Sequence, residues 1–173
     1  MISGSAHLWA RLRRIASGLV VVGVAGVAVL ATGGLAAAAG PFDGLAGKWS
    51  GTGVVTYSDG TKERLQCSVK YEQADPNSVT QAVACTSDSY NFRINAFYKS
   101  NTNGLVGHWS ETVMQVSGSL TGTVSDGHIL GNLRGPGFQA RVNVDTKGNQ
   151  QTVTVVTADQ KISQVAIAVK RGG

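Results

Sequence analysis

The sequence predicts an all-β domain, an antiparallel up-and-down β-barrel of about 8–10 strands, on three observations. From Trp49 onward, apolar and polar residues alternate with the period of two that a half-buried strand requires. Turn-forming residues interrupt the alternation at intervals of roughly ten residues, and no apolar stripe recurs at helical spacing. The two cysteines, Cys67 and Cys85, lie nine residues before and nine residues after Pro76, as partners across one hairpin would. Such a meander must hide its edge strands, by closing on itself or by stacking two sheets. Closure into a barrel is the first expectation and a β-sandwich the alternative.

In the first strand Trp49, Gly51, Gly53, Val55 and Tyr57 share one face, and Ser58-Asp59-Gly60 turns the chain. Leu65, Cys67, Val69 and Tyr71 alternate on the return. Asp75-Pro76-Asn77-Ser78 leads into Val79 to Cys85. The segment Asp88-Ser89-Tyr90-Asn91-Phe92 reads as an Asx-type connection to a strand that shows Phe92, Ile94, Ala96 and Tyr98 on one face. Asn101-Thr102-Asn103-Gly104 turns into Leu105, Gly107 and Trp109. Val116 to Val124 runs to Asp126-Gly127, a dipeptide suited to a type I′ hairpin, and His128 to Leu133 returns. After Gly135-Pro136-Gly137 come Phe138, Ala140, Val142 and Val144. Lys147-Gly148 then precedes Val153 and Val155, and the last strand carries Val165, Ile167 and Val169.

The same hairpin arithmetic pairs Cys67 with Cys85 on neighbouring antiparallel strands, where a close Cβ approach accepts a disulfide. By loop length, the bridge would contribute about 3 kcal/mol. A redox or catalytic thiol would call for C-x-x-C spacing or a partner histidine, and neither is present.

Residues 1–39 read as a signal peptide. Arg11, Arg13 and Arg14 precede an apolar run from Leu19 to Leu35, and the small residues Ala36-Ala37-Ala38-Ala39 follow. Cleavage after Ala38 or Ala39 would place the domain, residues 40–173, in the periplasm or outside the cell. An uncleaved anchor is the alternative, since Ile15 to Ala39 is long enough to cross a bilayer when tilted. With the leader removed, no stable membrane anchor is expected. Three of the fifteen basic residues lie in the leader and all ten acidic residues lie after it. Twelve bases then face ten acids, and the formal charge falls from +5 to about +2. Such a balance, with basic residues scattered singly, gives no footing for nucleic acid. A domain of this length can bury a real core.

Leu45-Ala46-Gly47-Lys48-Trp49, near the start of a small meandering β chain, resembles the opening strand of the calycins: lipocalins, fatty-acid-binding proteins and avidins. The resemblance implies a barrel with the Trp packed across its floor and a small apolar molecule as partner. No ligand-contact residue of those families matches here, so biotin or retinoid binding is not carried over. The same opening followed by a cysteine pair also resembles the bacterial periplasmic metalloprotease inhibitors. That likeness implies a protease partner and an N-terminal segment that enters its cleft. Gly107-His108-Trp109-Ser110 echoes Gly47-Lys48-Trp49-Ser50, although Trp109 is followed by Ser110-Glu111 and not by the Trp-Arg-Pro-type element of the inhibitors. For both tryptophans core packing is the plain reading.

Little in the chain points to catalysis. His108 and Glu111 are three apart, which on a strand puts them on opposite faces. His128 directly follows a turn and is expected in solvent. A Gly-rich phosphate loop and a G-x-S-x-G elbow are both absent, and nothing fixes the separation of Glu63 from Glu111 as a glycosidase pair. The expectation is therefore a non-enzymatic binding protein without metal or cofactor. Its candidate ligand wall is Trp49, Tyr57, Tyr71, Tyr98 and Trp109, large rings on the inferred inward faces. A protease inhibitor and an envelope interaction protein with an exposed apolar patch are the alternatives.

Overall fold

The structure is a computed structural model that describes residues 40–158 and 161–172. The expected leader lies outside the described residues. Ten strands follow in order: β1 (Gly47–Tyr57), β2 (Lys62–Asp75), β3 (Ser78–Thr86), β4 (Asn91–Asn101), β5 (Gly104–Glu111), β6 (Val116–Ser125), β7 (His128–Gly135), β8 (Phe138–Lys147), β9 (Gln150–Thr157) and β10 (Ile162–Arg171). Each pairs antiparallel with its neighbour in sequence, and β1 pairs with β10, so the sheet closes into a barrel and the sandwich alternative falls.

Local chemistry sets the hairpins. Asp126 and Gly127 both take positive φ, 49° and 77°, as a type I′ turn requires. In the β2–β3 hairpin Cys67 pairs with Cys85 in the expected register. Nearer the turn a bulge between Gln73 and Asp75 shifts the register, so that Asp75 pairs with Ser78 and the chain reverses over Pro76-Asn77. The Cys67–Cys85 disulfide spans a Cα–Cα distance of 4.2 Å, and both residues are buried.

The alternation sorts the side chains into an apolar interior and a polar exterior. Leu65, Val69, Val79, Leu105, Leu120 and Ile129 are buried in one core. Lys48, Arg64, Lys70, Arg93 and Arg141 sit at the intervening exposed positions. This is the reverse of a barrel that faces lipid. Gly118 and Gly122 of β6 lie on the inward face, and a Cβ added to either would fall 1.9 Å from the Arg134 carbonyl oxygen or 2.0 Å from that of Leu130. Only glycine leaves room for the β7 backbone to pass this close.

One end of the barrel is stoppered by residues 40–46. The segment is wound by the Asp43 N–H donating to the Gly40 carbonyl and the Leu45 N–H to the Phe42 carbonyl, each at 3.1 Å. Phe42 and Leu45 retain 0% and 1% of their surface. The Trp49 indole, itself 1% exposed, donates Nε1–H to the Leu45 carbonyl at 2.9 Å and meets Tyr71 edge-on at 6.5 Å. The Arg171 guanidinium lies 4.6 Å over the Trp49 ring. Its Nε and Nη2 find no hydrogen-bond acceptor among the described residues, so the ring face is what holds the cation.

Candidate ligand site in the barrel

Above the floor, a chain of hydrogen bonds crosses the interior. The Tyr98 hydroxyl donates to Gln81 Oε1, Gln81 Nε2 donates to the Tyr71 hydroxyl at 2.8 Å, Tyr71 donates to Gln151 Oε1 at 2.9 Å, and Gln151 Nε2 reaches Thr146 Oγ1 at 2.9 Å. Five side chains from β2, β3, β4, β8 and β9 are thereby satisfied inside an apolar barrel, where an unmade bond would cost about 1–3 kcal/mol. Burial pushes the phenols of Tyr71 and Tyr98 well above their usual pKa, although the bonds to Gln151 and Gln81 pull Tyr71 the other way. Both stay neutral donors at ordinary pH.

Val83, Ile94, Tyr98, Val153, Val155 and Val165 point inward on their strands, pack against the core and are only partly buried. Two depressions of about 370 and 480 Å³ lie on the outer wall: both take in Lys70, Ala82 and Asn95, the first with His108 and Ser110, the second with Ala84 and Arg93.

Two carboxylates organise turns at the open end. Glu63 Oε2 accepts from the Tyr57 hydroxyl at 2.9 Å. Its Oε1 accepts from the Ser87 hydroxyl, from the Ser89 N–H at 3.1 Å and from the Ser89 hydroxyl at 2.6 Å. The Ser87 and Ser89 hydroxyls, with the Tyr57 phenol, hold its pKa down at about 2. Glu111, 5% exposed, accepts the backbone N–H groups of Arg93 at 2.9 Å, Val113 at 3.0 Å and Met114 at 2.5 Å. Burial raises its pKa, but the three backbone bonds outweigh burial and leave it below the ordinary value. Each carboxylate is consumed by the turn it pins. The β3–β4 connection is therefore held by Glu63 from the β1–β2 side, where an Asx turn at Asp88 was expected.

The structure separates the five candidate wall residues by depth. Trp49 and Tyr71, 1% and 3% exposed, are packed into the floor. Tyr57 stands at the rim, bonded to Glu63. Tyr98 ends the polar chain and is partly buried. Trp109 donates Nε1–H to the Ser119 carbonyl at 3.2 Å and meets Phe138 edge-on at 5.6 Å. The histidines are apart, as expected: His108 is outside, stacked on Phe97 at 5.5 Å, and His128 contacts Asp145 at 3.0 Å on the outer face. No group of three or more metal-ligating side chains occurs among the described residues. The sequence reading missed Glu63 and Glu111 as turn anchors and Gln81 and Gln151 as interior polar links. Gln81 and Gln151 each occupy an otherwise apolar inward position, a signal that was available.

The architecture is that of a closed antiparallel β-barrel of ten strands. It is similar to the S-type phycobiliprotein lyase of Guillardia theta, at 13% identity over 76% of this chain and 90% of that one, with a TM-score of 0.51. Likenesses to a redesigned β-barrel (14% identity, 79% and 99% covered, TM-score 0.45) and to a de novo fluorescence-activating β-barrel (8%, 73% and 93%, 0.42) are fainter. At these identities the likeness extends to fold alone. No protein-family model matches the chain, and no curated protein matches it in sequence.

Proposed function

We propose that this is an exported binding protein that takes a small, apolar, uncharged molecule into the open half of its barrel. The incomplete burial of inward-pointing Val83, Ile94, Val153, Val155 and Val165 in a closed ten-strand barrel is the observation that supports the reading. Tyr57, Tyr98 and Trp109 would form the ligand wall, while Trp49 and Tyr71 serve the floor beneath it. The charge argument is local. Of the described residues on inward strand positions, Arg171 is the one cation and it is stacked on the Trp49 ring in the floor, while Glu63 and Glu111 are saturated. A carboxylate ligand would find no partner, and an apolar molecule with a hydroxyl or amide tip would meet Tyr98. Export is supported by the leader pattern and by the disulfide, which an oxidising compartment maintains.

The competing readings fare less well. A protease inhibitor needs residues 40–46 free, whereas Phe42 and Leu45 are buried in the floor. An interaction surface needs a continuous apolar patch. The exposed Val106, Leu130 and Val156 each pair with polar neighbours, namely Lys99 and Thr121, Thr123 and Asn143, and Arg141 and Gln164, and the exposed Val113, Met114 and Val116 form one small cluster confined to the β5–β6 turn. One structural neighbour is a lyase, so the fold accommodates catalysis as well as binding.

The test is native mass spectrometry of the full chain after expression in an exporting bacterium, followed by titration with an uncharged, environment-sensitive naphthalene dye. A dye bound one to one and displaced by a long-chain alcohol but not by the matching fatty acid is the expected result. Absence of both retained ligand and dye binding would defeat the proposal, and preference for the fatty acid would defeat its charge argument.

A further inference from the structure

We infer that the peptide bond between Ala39 and Gly40 is the maturation cut, and that the barrel floor carries a socket built for the new Gly40 amino terminus. The inference rests on the export reading above and assigns one bond where the sequence left two. At residue 40 the socket admits only glycine: an added Cβ would lie 2.2 Å from the Pro76 carbonyl oxygen, 2.8 Å from its carbon and 2.9 Å from the Pro76 Cα, all backbone atoms that cannot swing away. The Gly40 nitrogen donates to Asp43 Oδ2 at 2.9 Å, and Asp43 Oδ1 accepts from Gln73 Nε2 at 3.3 Å on β2. The Gly40 carbonyl accepts the Asp43 N–H, which closes the turn that buries Phe42.

Hydrolysis changes what occupies that socket. Water adds across the Ala39–Gly40 amide and the C–N bond breaks. The hydroxyl goes to the Ala39 carbonyl carbon and a proton to the Gly40 nitrogen, and the new acid then ionises while the amine takes up a proton. With an ordinary α-amino pKa near 8, Gly40 is an ammonium at neutral pH. A neutral amide donor to Asp43 thus becomes an ion pair at the same place, and the segment that stoppers the barrel gains a charge lock only after processing. A cut after Ala38 would leave Gly40 an amide and the ammonium one residue outside the socket. The motif Ala36-Ala37-Ala38-Ala39 directly before Gly40 supplies the small residues an export peptidase reads.

The experiment determines the N-terminus of the full chain after export from a bacterial host, then measures acylation of its α-amine at pH 7. A chain that starts at Gly40 and is acylated about threefold or more slowly than its Asp43→Asn counterpart is expected, since pairing with a carboxylate depletes the reactive neutral amine. Gly40→Ala should still be cut yet lose that protection, because its Cβ is expelled from the socket. A chain starting at Ala39 or elsewhere would overturn the assigned bond and leave export standing. Equal acylation rates in a chain that does start at Gly40 would overturn the lock. A full-length chain retained in the cytoplasm would overturn the export reading itself.

Discussion

Phe42→Ala is the perturbation that most directly tests whether residues 40–46 belong to the barrel. The phenyl ring is fully buried in the floor beside Leu45 and the Trp49 region. Its removal forfeits a transfer contribution of about 1.5–3 kcal/mol and adds a cavity contribution, which together amount to about 3–5 kcal/mol for core phenylalanines. A segment outside the sheet relaxes more readily than a central strand, so the lower figure, about 3 kcal/mol, is expected. Guanidinium unfolding, followed by tryptophan fluorescence, measures the change. Val113→Ala, on an exposed turn, is the control and should shift stability by less than about 0.5 kcal/mol. A loss below about 1 kcal/mol for Phe42→Ala, with an unchanged denaturant slope, would show that the floor does not depend on this segment. It would also return the segment to the inhibitor reading.

Three further outcomes follow from the turns and the core. Glu63 has a folded pKa of about 2 against about 4.3 in an unfolded chain, so its contribution is fully present above that higher value and is lost as pH falls toward the lower one. Glu63→Gln should therefore flatten the stability profile between those two values, and an unchanged profile in acid denaturation scans would contradict the anchoring role. Replacing both Cys67 and Cys85 by Ala should cost about 3 kcal/mol by loop entropy, read from the denaturation midpoint; a midpoint that does not move would mean the bridge is dispensable. Gly118→Ala places a Cβ 1.9 Å from the Arg134 carbonyl and 2.9 Å from the Trp109 ring, for an expected loss of about 1–3 kcal/mol and a shifted tryptophan emission maximum. Wild-type stability and emission in that variant would dispose of the close-approach argument.

The fold was legible because a two-residue period and turn chemistry are local. Asp126-Gly127 specifies its own turn, and the spacing of Cys67 and Cys85 about Pro76 sets a register that the bulge at Gln73 and Asp75 shifts only at the tip. Closure followed from the need to hide edges, which pattern alone expresses. The site was less legible, because its polar groups act across the barrel. Tyr71 and Gln151 are 80 residues apart in sequence and Glu63 lies 26 residues before Ser89, so no local window contains the partners. Glu63 and Glu111 attracted a catalytic reading only because a sequence shows a carboxylate but not the N–H groups it satisfies. Trp49 shows the converse: its burial was foreseen from the motif, while Arg171 on its ring face came from the opposite end of the domain.

The inward glycines govern where the lumen can be. Gly51 of β1 faces the Ala168 carbonyl oxygen at 2.1 Å from an added Cβ, as Gly118 and Gly122 of β6 face β7. These glycines are not empty space, because the neighbouring backbone already occupies the room a side chain would take. Gly107 of β5 meets β4 in the same way, its added Cβ 2.4 Å from the Phe97 carbonyl oxygen. Such glycines remove side-chain volume without opening space, and large rings stand at both ends of the barrel: Phe42, Trp49 and Tyr71 at the floor, Tyr57, Phe92, Trp109 and Phe138 toward the other. Under the proposed function, room for an apolar guest would therefore have to lie between these two sets of rings.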